Sequence, residues 1–126
     1  MMLKMEQGWK LELDHGPEWL FVRLHAPPGC DADSFDLADS LWGLLNQEFI
    51  YRLVLELDEL AILRSSVVGA VVRLHKRITA HGGMLRLCGL SDSNQEVLRL
   101  NRLHTRFPHY ANRKSAVMGY RPAQPR

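Results

Sequence analysis

The sequence predicts an α/β fold with a mixed, mostly parallel sheet of four to five strands and helices packed on it. Short segments rich in apolar and β-branched residues alternate with longer segments in which apolar residues recur every three to four positions. Strands that alternate with helices favour parallel pairing, because a helical crossover returns the chain to the same end of the sheet. With 126 residues, of which 46% are hydrophobic and 24% charged, the chain suits one core and one domain.

Four segments are typical of strands. Residues 19–25, 52–57 and 84–88 are short and apolar, and turn residues flank them. The segment 9–13 alternates apolar with charged residues, and the turn residues at 15–17 predict a hairpin that pairs it with 19–25. We therefore expect one antiparallel first strand on an otherwise parallel sheet.

Four segments are typical of helices, and they cover residues 31–46, 65–81, 93–103 and 112–118. Gly82 suits a C-terminal cap of the second helix, and Ser93 with Glu96 predicts a capping box at the start of the third. The predicted order is β-β-α-β-α-β-α, which a short β-α extends at the end. We expect the tail, residues 120–126, to fray.

Several classes of function lack a signature. No apolar stretch reaches the roughly 18 residues that a membrane-spanning helix needs, and the charged residues in 1–10 argue against a secretory signal. We expect a cytoplasmic protein with reduced thiols at Cys30 and Cys88. The histidines form no His-x-x-x-His pair, and neither a glycine-rich phosphate loop nor Gly-x-Ser-x-Gly occurs. The sequence therefore predicts no metal, no cofactor and no enzymatic activity.

Charge is distributed unevenly along the chain. Residues 1–63 carry 12 acidic and 4 basic side chains, whereas residues 64–126 carry 2 acidic and 12 basic ones. A basic half is compatible with binding of nucleotides or nucleic acid, but no recognition motif and few aromatic residues accompany it. We favour the interpretation that the two halves face each other and partly neutralise, and we keep nucleotide or nucleic-acid binding through the basic C-terminal half as an alternative.

The segment 53–77 carries positional information. It predicts a strand, a short loop and a helix whose first residues are two serines, of which one is explained as an N-cap. Ser66, Gly69 and Arg73 share one side of that helix, which is small at its start and basic further on. A phosphate on Ser66 would lie near the helix N-terminus, where anions are favoured, and would add bulk and charge to a docking surface.

This segment resembles the STAS domain, the fold of anti-sigma-factor antagonists, in which a strand and short loop lead into Asp-Ser-Ser-Gly-Leu-Gly at a helix start. The segments 81–90, 97–103 and 107–108 are similar to later parts of the family pattern, and the resemblance covers about residues 9–119. It implies a single STAS-like domain over residues 1–126. It also implies a non-enzymatic regulatory module that binds a protein partner, namely an anti-sigma factor that is also a serine kinase.

The resemblance also implies roles for individual residues. The second serine of the family motif is phosphorylated by the partner kinase, and that serine corresponds to Ser66. Two positions depart from the pattern, because Arg64 replaces the aspartate and Val67 the first glycine. A constitutive STAS module without a phospho-switch is therefore the alternative. The candidate partner-binding residues lie at the helix start and along its small and basic side: Arg64, Ser65, Ser66, Gly69 and Arg73.

Overall fold

A computed structural model describes residues 1–4, 8–27 and 36–119 of the chain. The strands are β1 (Met2–Lys4), β2 (Lys10–His15), β3 (Leu20–His25), β4 (Arg52–Glu56), β5 (Met84–Cys88) and β6 (His109–Tyr110). The helices are α1 (Leu37–Glu48), α2 (Ser65–Ala80), α3 (Asp92–Leu100) and α4 (Arg113–Met118). The predicted frayed tail at 120–126, Cys30 and residues 31–35 of the predicted first helix lie outside the described residues.

One sheet contains the six strands in the order of the chain. β1, β2 and β3 pair antiparallel, and the pairs from β3 to β6 are parallel. The predicted hairpin joins β2 to β3, with the Gly16 N–H donating to the Trp19 carbonyl at 2.9 Å. The α/β class and the mixed, mostly parallel sheet are confirmed. The sheet has six strands rather than four to five, because the short β1 and β6 add one strand at each edge.

The two faces of the sheet are covered differently. Leu53 and Leu55 of β4 belong to the large apolar core, to which α1, α2 and α3 contribute. Val54, between them, points to the opposite face, because successive side chains of a strand alternate. There it joins a smaller core with Phe21 and with Ala116 of α4. α2 and α4 therefore lie on opposite sides of the sheet.

Polar contacts fasten α4 to this smaller core. Glu56, only 3% exposed, forms ion pairs with Arg113 of α4 and, at 2.8 Å, with Arg23 of β3. A buried carboxylate is tolerated when charged partners of this kind surround it. Cys88, in the same core, is a free thiol. Its burial, with Glu56 and Asp58 nearby, raises its pKa to about 12, so the thiol stays protonated at neutral pH.

Neutralisation between the acidic and the basic half of the chain is partial. Among the described residues, the ion pairs between the halves join Arg113 to Asp14 and Glu56, and Arg77 to Asp39. Two arginines thus account for all of these pairs. Other basic side chains of α2 and of the segment after it remain on the surface.

The helices match the predicted segments with small shifts. α2 ends one residue before the predicted end, and Gly82 beyond it has a φ of 75°, as a C-terminal cap requires. α1 ends at Glu48, and the side chain of its N-cap, Asp36, accepts from the Asp39 N–H at 3.0 Å. Within the described ranges, no helix combines the length and the apolar character that crossing a membrane requires.

The predicted capping box at α3 is wrong. Ser91 is the N-cap, and its Oγ accepts from the Asn94 N–H at 3.2 Å. Glu96 forms an ion pair with Arg99 and does not reach back to the helix start. The turn after β5 places the N-cap at Ser91, two residues before the predicted N-cap at Ser93. The earlier serine therefore takes the N-cap position, and Ser93 lies within the first turn.

Candidate functional site

The two serines of the predicted site lie where β4 has ended and a loop over residues 57–64 leads into α2. Leu57, Leu60 and Leu63 of this loop are buried in the large core and anchor it. Ile62, between two of these anchors, is 67% exposed. The loop is therefore held from beneath and presents one large apolar side chain to solvent.

A side chain of α3 also fixes this loop. The amide oxygen of Asn94 accepts from the Leu63 N–H at 2.9 Å, and its amide nitrogen donates to the Leu60 carbonyl at 3.0 Å. Asn94 is 3% exposed, so both hydrogen bonds are shielded from water. The sequence analysis did not identify Asn94, because no local pattern links it to backbone groups more than 30 residues away.

The start of α2 has no side-chain cap. Arg64 is the N-cap residue, with extended backbone angles, and its carbonyl accepts from the Val67 and Val68 N–H groups at 3.0 Å. The Arg64 side chain is exposed and forms no capping hydrogen bond. The prediction that one serine caps the helix is wrong. Ser65 and Ser66 occupy the first and second helical positions, which is too late for the N-cap.

The two serines differ in exposure. Ser65 is exposed, whereas Ser66 is half-buried and its Oγ is enclosed, with no hydrogen-bond partner among the described residues. An enclosed hydroxyl without a partner loses its hydration and gains nothing in exchange. Rotation about χ1 to another staggered position would turn the Ser66 Oγ outward. Ser66 is thus at the predicted place, but its reactive atom faces inward in this conformation.

The other predicted residues form an outward stripe. Ser65, Gly69 and Arg73 follow one another at intervals of four along α2, so they share one side of the helix. A Cβ added to Gly69 would lie 3.4 Å from an Arg73 guanidinium nitrogen, so that side chain lies across the glycine. Val67, which replaces a family glycine, is 4% exposed and packs into the large core. This departure adds no bulk to the outward side of α2.

A cavity of about 270 Å³ opens beside the start of α2. Trp9, Leu60 and Val67 give it an apolar lining, and Glu59 and Arg64 add one charge of each sign. Among the described ranges, no group of three His, Cys, Asp or Glu side chains is placed to hold a metal ion. The arrangement offers a rigid surface of small, basic and apolar groups, which suits recognition of another molecule.

Comparison with protein-family models matches residues 12–116 to the STAS domain. The chain belongs to the STAS family. The STAS fold is shared with an anti-sigma factor antagonist from Mycobacterium paratuberculosis, at a TM-score of 0.72 and 13% identity over 93% of this chain and 97% of that one. It is also shared with an anti-sigma-factor antagonist (STAS) domain protein from Planctomyces limnophilus. That comparison has a TM-score of 0.71 and 19% identity over 86% of this chain and 96% of that one.

The phosphorylated form of the Bacillus cell fate determinant SpoIIAA has the STAS fold as well. That comparison has a TM-score of 0.63 and 16% identity over 87% of this chain and 99% of that one. No curated protein matches this sequence. At these identities the likeness establishes the fold. The resemblance inferred from the sequence is thereby confirmed, and the role of Ser66 stays a prediction.

Proposed function

We propose that this STAS protein is a non-enzymatic regulatory module that binds a protein partner of the anti-sigma factor or switch-kinase type through the start of α2. The observation that carries the proposal is the outward surface of Arg64, Ser65, Gly69 and Arg73 beside the exposed Ile62. The anti-sigma factor antagonists that share the fold support the class of partner.

The proposed surface combines features that favour docking. The small Ser65 and Gly69 allow a partner backbone to approach α2 closely once the exposed Arg73 side chain moves off the glycine. Burying an isoleucine-sized side chain such as Ile62 contributes roughly 1.5–3 kcal/mol. Because Asn94 and the buried leucines already hold the loop, little conformational entropy is lost when the partner binds.

We propose Ser66 as the residue that switches this binding. Once its Oγ has turned outward, a phosphate there would lie at the N-terminus of α2, beside the exposed Arg64 guanidinium. Both the helix dipole and a charge-assisted hydrogen bond to Arg64 stabilise a dianion at that place. The phosphate would add bulk and negative charge to the docking surface, so it should displace the partner.

Purification of the tagged protein from its native cells, followed by mass spectrometry of bait and prey, tests the proposal. We expect a regulator of the anti-sigma factor or kinase type to co-purify, and phosphate on a fraction of Ser66. The substitution Ser66→Glu should weaken binding of that regulator by about tenfold or more. Ser115→Glu is the matched control, because Ser115 is half-buried like Ser66 and lies in the first turn of α4, on the opposite side of the sheet from the docking surface. Equal binding by both variants would eliminate a Ser66 switch.

The enclosed Ser66 hydroxyl favours a second candidate, a constitutive STAS module whose binding is not switched. In that case the partner co-purifies with Ser66 unmodified under all growth conditions. Ser66→Ala would then leave the level of bound partner unchanged in cells, whereas a phospho-switch predicts an increase. Stoichiometric phosphate on Ser66 is incompatible with the constitutive module.

A further inference from the structure

The outward side of α2 is basic in the C-terminal half of the helix. The helix has 16 residues and none is acidic. Arg73 and Lys76 are exposed, and neither forms an ion pair among the described residues. Arg64, at the N-cap, is also exposed and without an ion pair in the described part of the chain. Three cations therefore have no carboxylate partner within residues 1–4, 8–27 and 36–119.

Arg73 and Lys76 lie on one side of α2, and Arg64 lies at its N-terminal end, outside that arc. At 100° per residue, Ser65, Gly69, Arg73 and Lys76 lie within about 80° of one another around the helix. The 12 positions from Arg64 to Lys76 correspond to about 18 Å along the axis. We call the surface of Arg64, Arg73, Lys76 and Arg106 the basic face of α2.

Arg106 extends this surface beyond the helix. It lines a shallow cavity of about 370 Å³ together with His75, Lys76 and Thr79. His75 packs edge-on against Phe107, with 4.9 Å between the ring centroids. Burial, and then the charge of Arg106, lowers the pKa of His75. The positive charge of Arg106 thus acts at this end of the basic face, and no carboxylate in the described part of the chain forms an ion pair with it.

Among the residues that the structure describes, the carboxylates near the basic face pair with other residues or form no ion pair with it. Asp39 of α1 pairs with Arg77 at 2.8 Å, on the flank of α2. Glu59 lines the apolar cavity that Arg64 also lines, but the two form no ion pair within the described residues. The basic face is therefore complementary to a negatively charged molecule from outside the chain.

We infer that the basic face of α2 binds an acidic segment of a protein, which docks along the helix from Arg64 to the cavity at Arg106. This inference rests on the proposed function only in assigning the segment to the regulatory partner. A polypeptide is favoured over nucleic acid for two reasons. Phe107, the aromatic residue beside His75, is 2% exposed, so it offers no platform on which bases could stack. Ser65 and Gly69 are small, so a polypeptide backbone can come close to α2 once the exposed Arg73 side chain moves off Gly69.

Binding of a labelled peptide to the full-length chain tests this inference without the native partner. The probe is a Glu- and Leu-containing peptide of about 12 residues, the helical length that spans about 18 Å, and its Gln-for-Glu counterpart is the neutral control. Fluorescence anisotropy should show binding of the acidic peptide only, which weakens when ionic strength rises from about 0.05 M to about 0.3 M.

The double variant Arg73→Glu/Lys76→Glu should bind the acidic peptide about tenfold or more weakly than the wild type. The double variant Lys10→Glu/Lys114→Glu is the charge-matched control, and it should bind as the wild type does. Both lysines are exposed on the opposite side of the sheet, Lys114 on α4 and Lys10 beside the inward Leu11 of β2. Absence of wild-type binding, or equal binding by both variants, would overturn the inference. It would also be overturned if a short DNA duplex bound more tightly than the peptide and lost binding in the Arg73→Glu/Lys76→Glu variant.

Co-purification from native cells separates this inference from the proposed function. If wild type and the Arg73→Glu/Lys76→Glu variant retain the regulatory partner equally, the partner docks without the basic face. The proposed function then stands and the inference fails. If the acidic peptide binds as expected but no regulatory partner co-purifies with the wild type, the inference on the surface stands and the proposed function fails.

Discussion

Two helix starts lie next to each other in this fold, because α2 follows β4, α3 follows β5, and these two strands pair. The start of α3 is closed by side chains: Ser91 caps it, and the Gln95 amide donates to the Leu90 carbonyl at 3.1 Å. The start of α2 has an uncapped Arg64 and an enclosed Ser66 hydroxyl without a partner in the described part of the chain. Similar strand-to-helix turns thus differ in how fully their polar groups are paired.

The difference indicates that the two starts meet different demands. Helix caps and satisfied polar groups are among the easiest gains in stability, and they are commonly forgone where a surface serves function. The start of α3 also supports its neighbour, because Asn94 in its first turn holds the loop before α2. The start of α3 therefore supports its neighbour, whereas the start of α2 presents a surface to solvent. Substitutions in the two helix starts should have different effects.

Asn94→Ala should have the largest effect, because it removes the link between the two starts. It leaves the Leu63 N–H and the Leu60 carbonyl buried without a partner, at about 1–3 kcal/mol each. We expect the free energy of unfolding to fall by about 3 kcal/mol in urea denaturation. Asn101→Ala is the control, because Asn101 is exposed and bonds only to the Val97 carbonyl. A loss at Asn94 no larger than at Asn101 would contradict the supporting role.

Arg64→Asp should make the start of α2 more like that of α3. An aspartate at the N-cap accepts from free N–H groups of the first turn and favours the helix dipole, with a gain of about 1 kcal/mol. We expect a higher midpoint in thermal or urea unfolding and, at the same time, weaker partner binding. Arg73→Asp makes the same charge change inside the helix and should give no gain in stability. If Arg64→Asp also gave no gain in stability, the start of α2 would not lack a cap in solution.

What the sequence predicted well depends on local patterns. Alternating and helical periodicity placed the central strands and α2 to within a residue or two, and the double serine with its flanking strand indicated the STAS fold. The edge strand β1 was not predicted, and β6 was expected only as a short final strand without bounds, because segments of three and two residues carry no periodicity of their own. They form only because a neighbouring strand provides hydrogen-bond partners.

Features of the site that depend on distant contacts could not be predicted. Ser91 and Ser93 lie on either side of Asp92, the first residue of α3, and only the geometry of the turn after β5 decides which of the two serines caps the helix. The inward direction of Val67 follows from packing against the large core, and that of the Ser66 Oγ is equally absent from the local sequence. The sequence thus identified the positions of the candidate site, and the structure supplied their orientation.

The smallest expected effects come from the same substitution, serine to alanine, at both helix starts. This pair of variants tests the difference between the two starts most directly. Ser91→Ala removes a cap and should lower the free energy of unfolding by about 1 kcal/mol. Ser66→Ala removes an enclosed hydroxyl that bonds to no described group and replaces serine with a better helix former. We therefore expect Ser66→Ala to raise the free energy of unfolding by about 0.5 kcal/mol.

Urea denaturation of the two alanine variants in parallel measures this difference in sign. A loss at Ser66 equal to that at Ser91 would show that the Ser66 hydroxyl bonds to the fold in solution, and the contrast between the two helix starts would disappear. A gain at Ser66 would mean that the chain keeps this serine at a cost in stability. Because nothing in the described fold uses the hydroxyl, its retention would then be explained by chemistry at the surface of α2, of which phosphorylation is the form proposed for this protein.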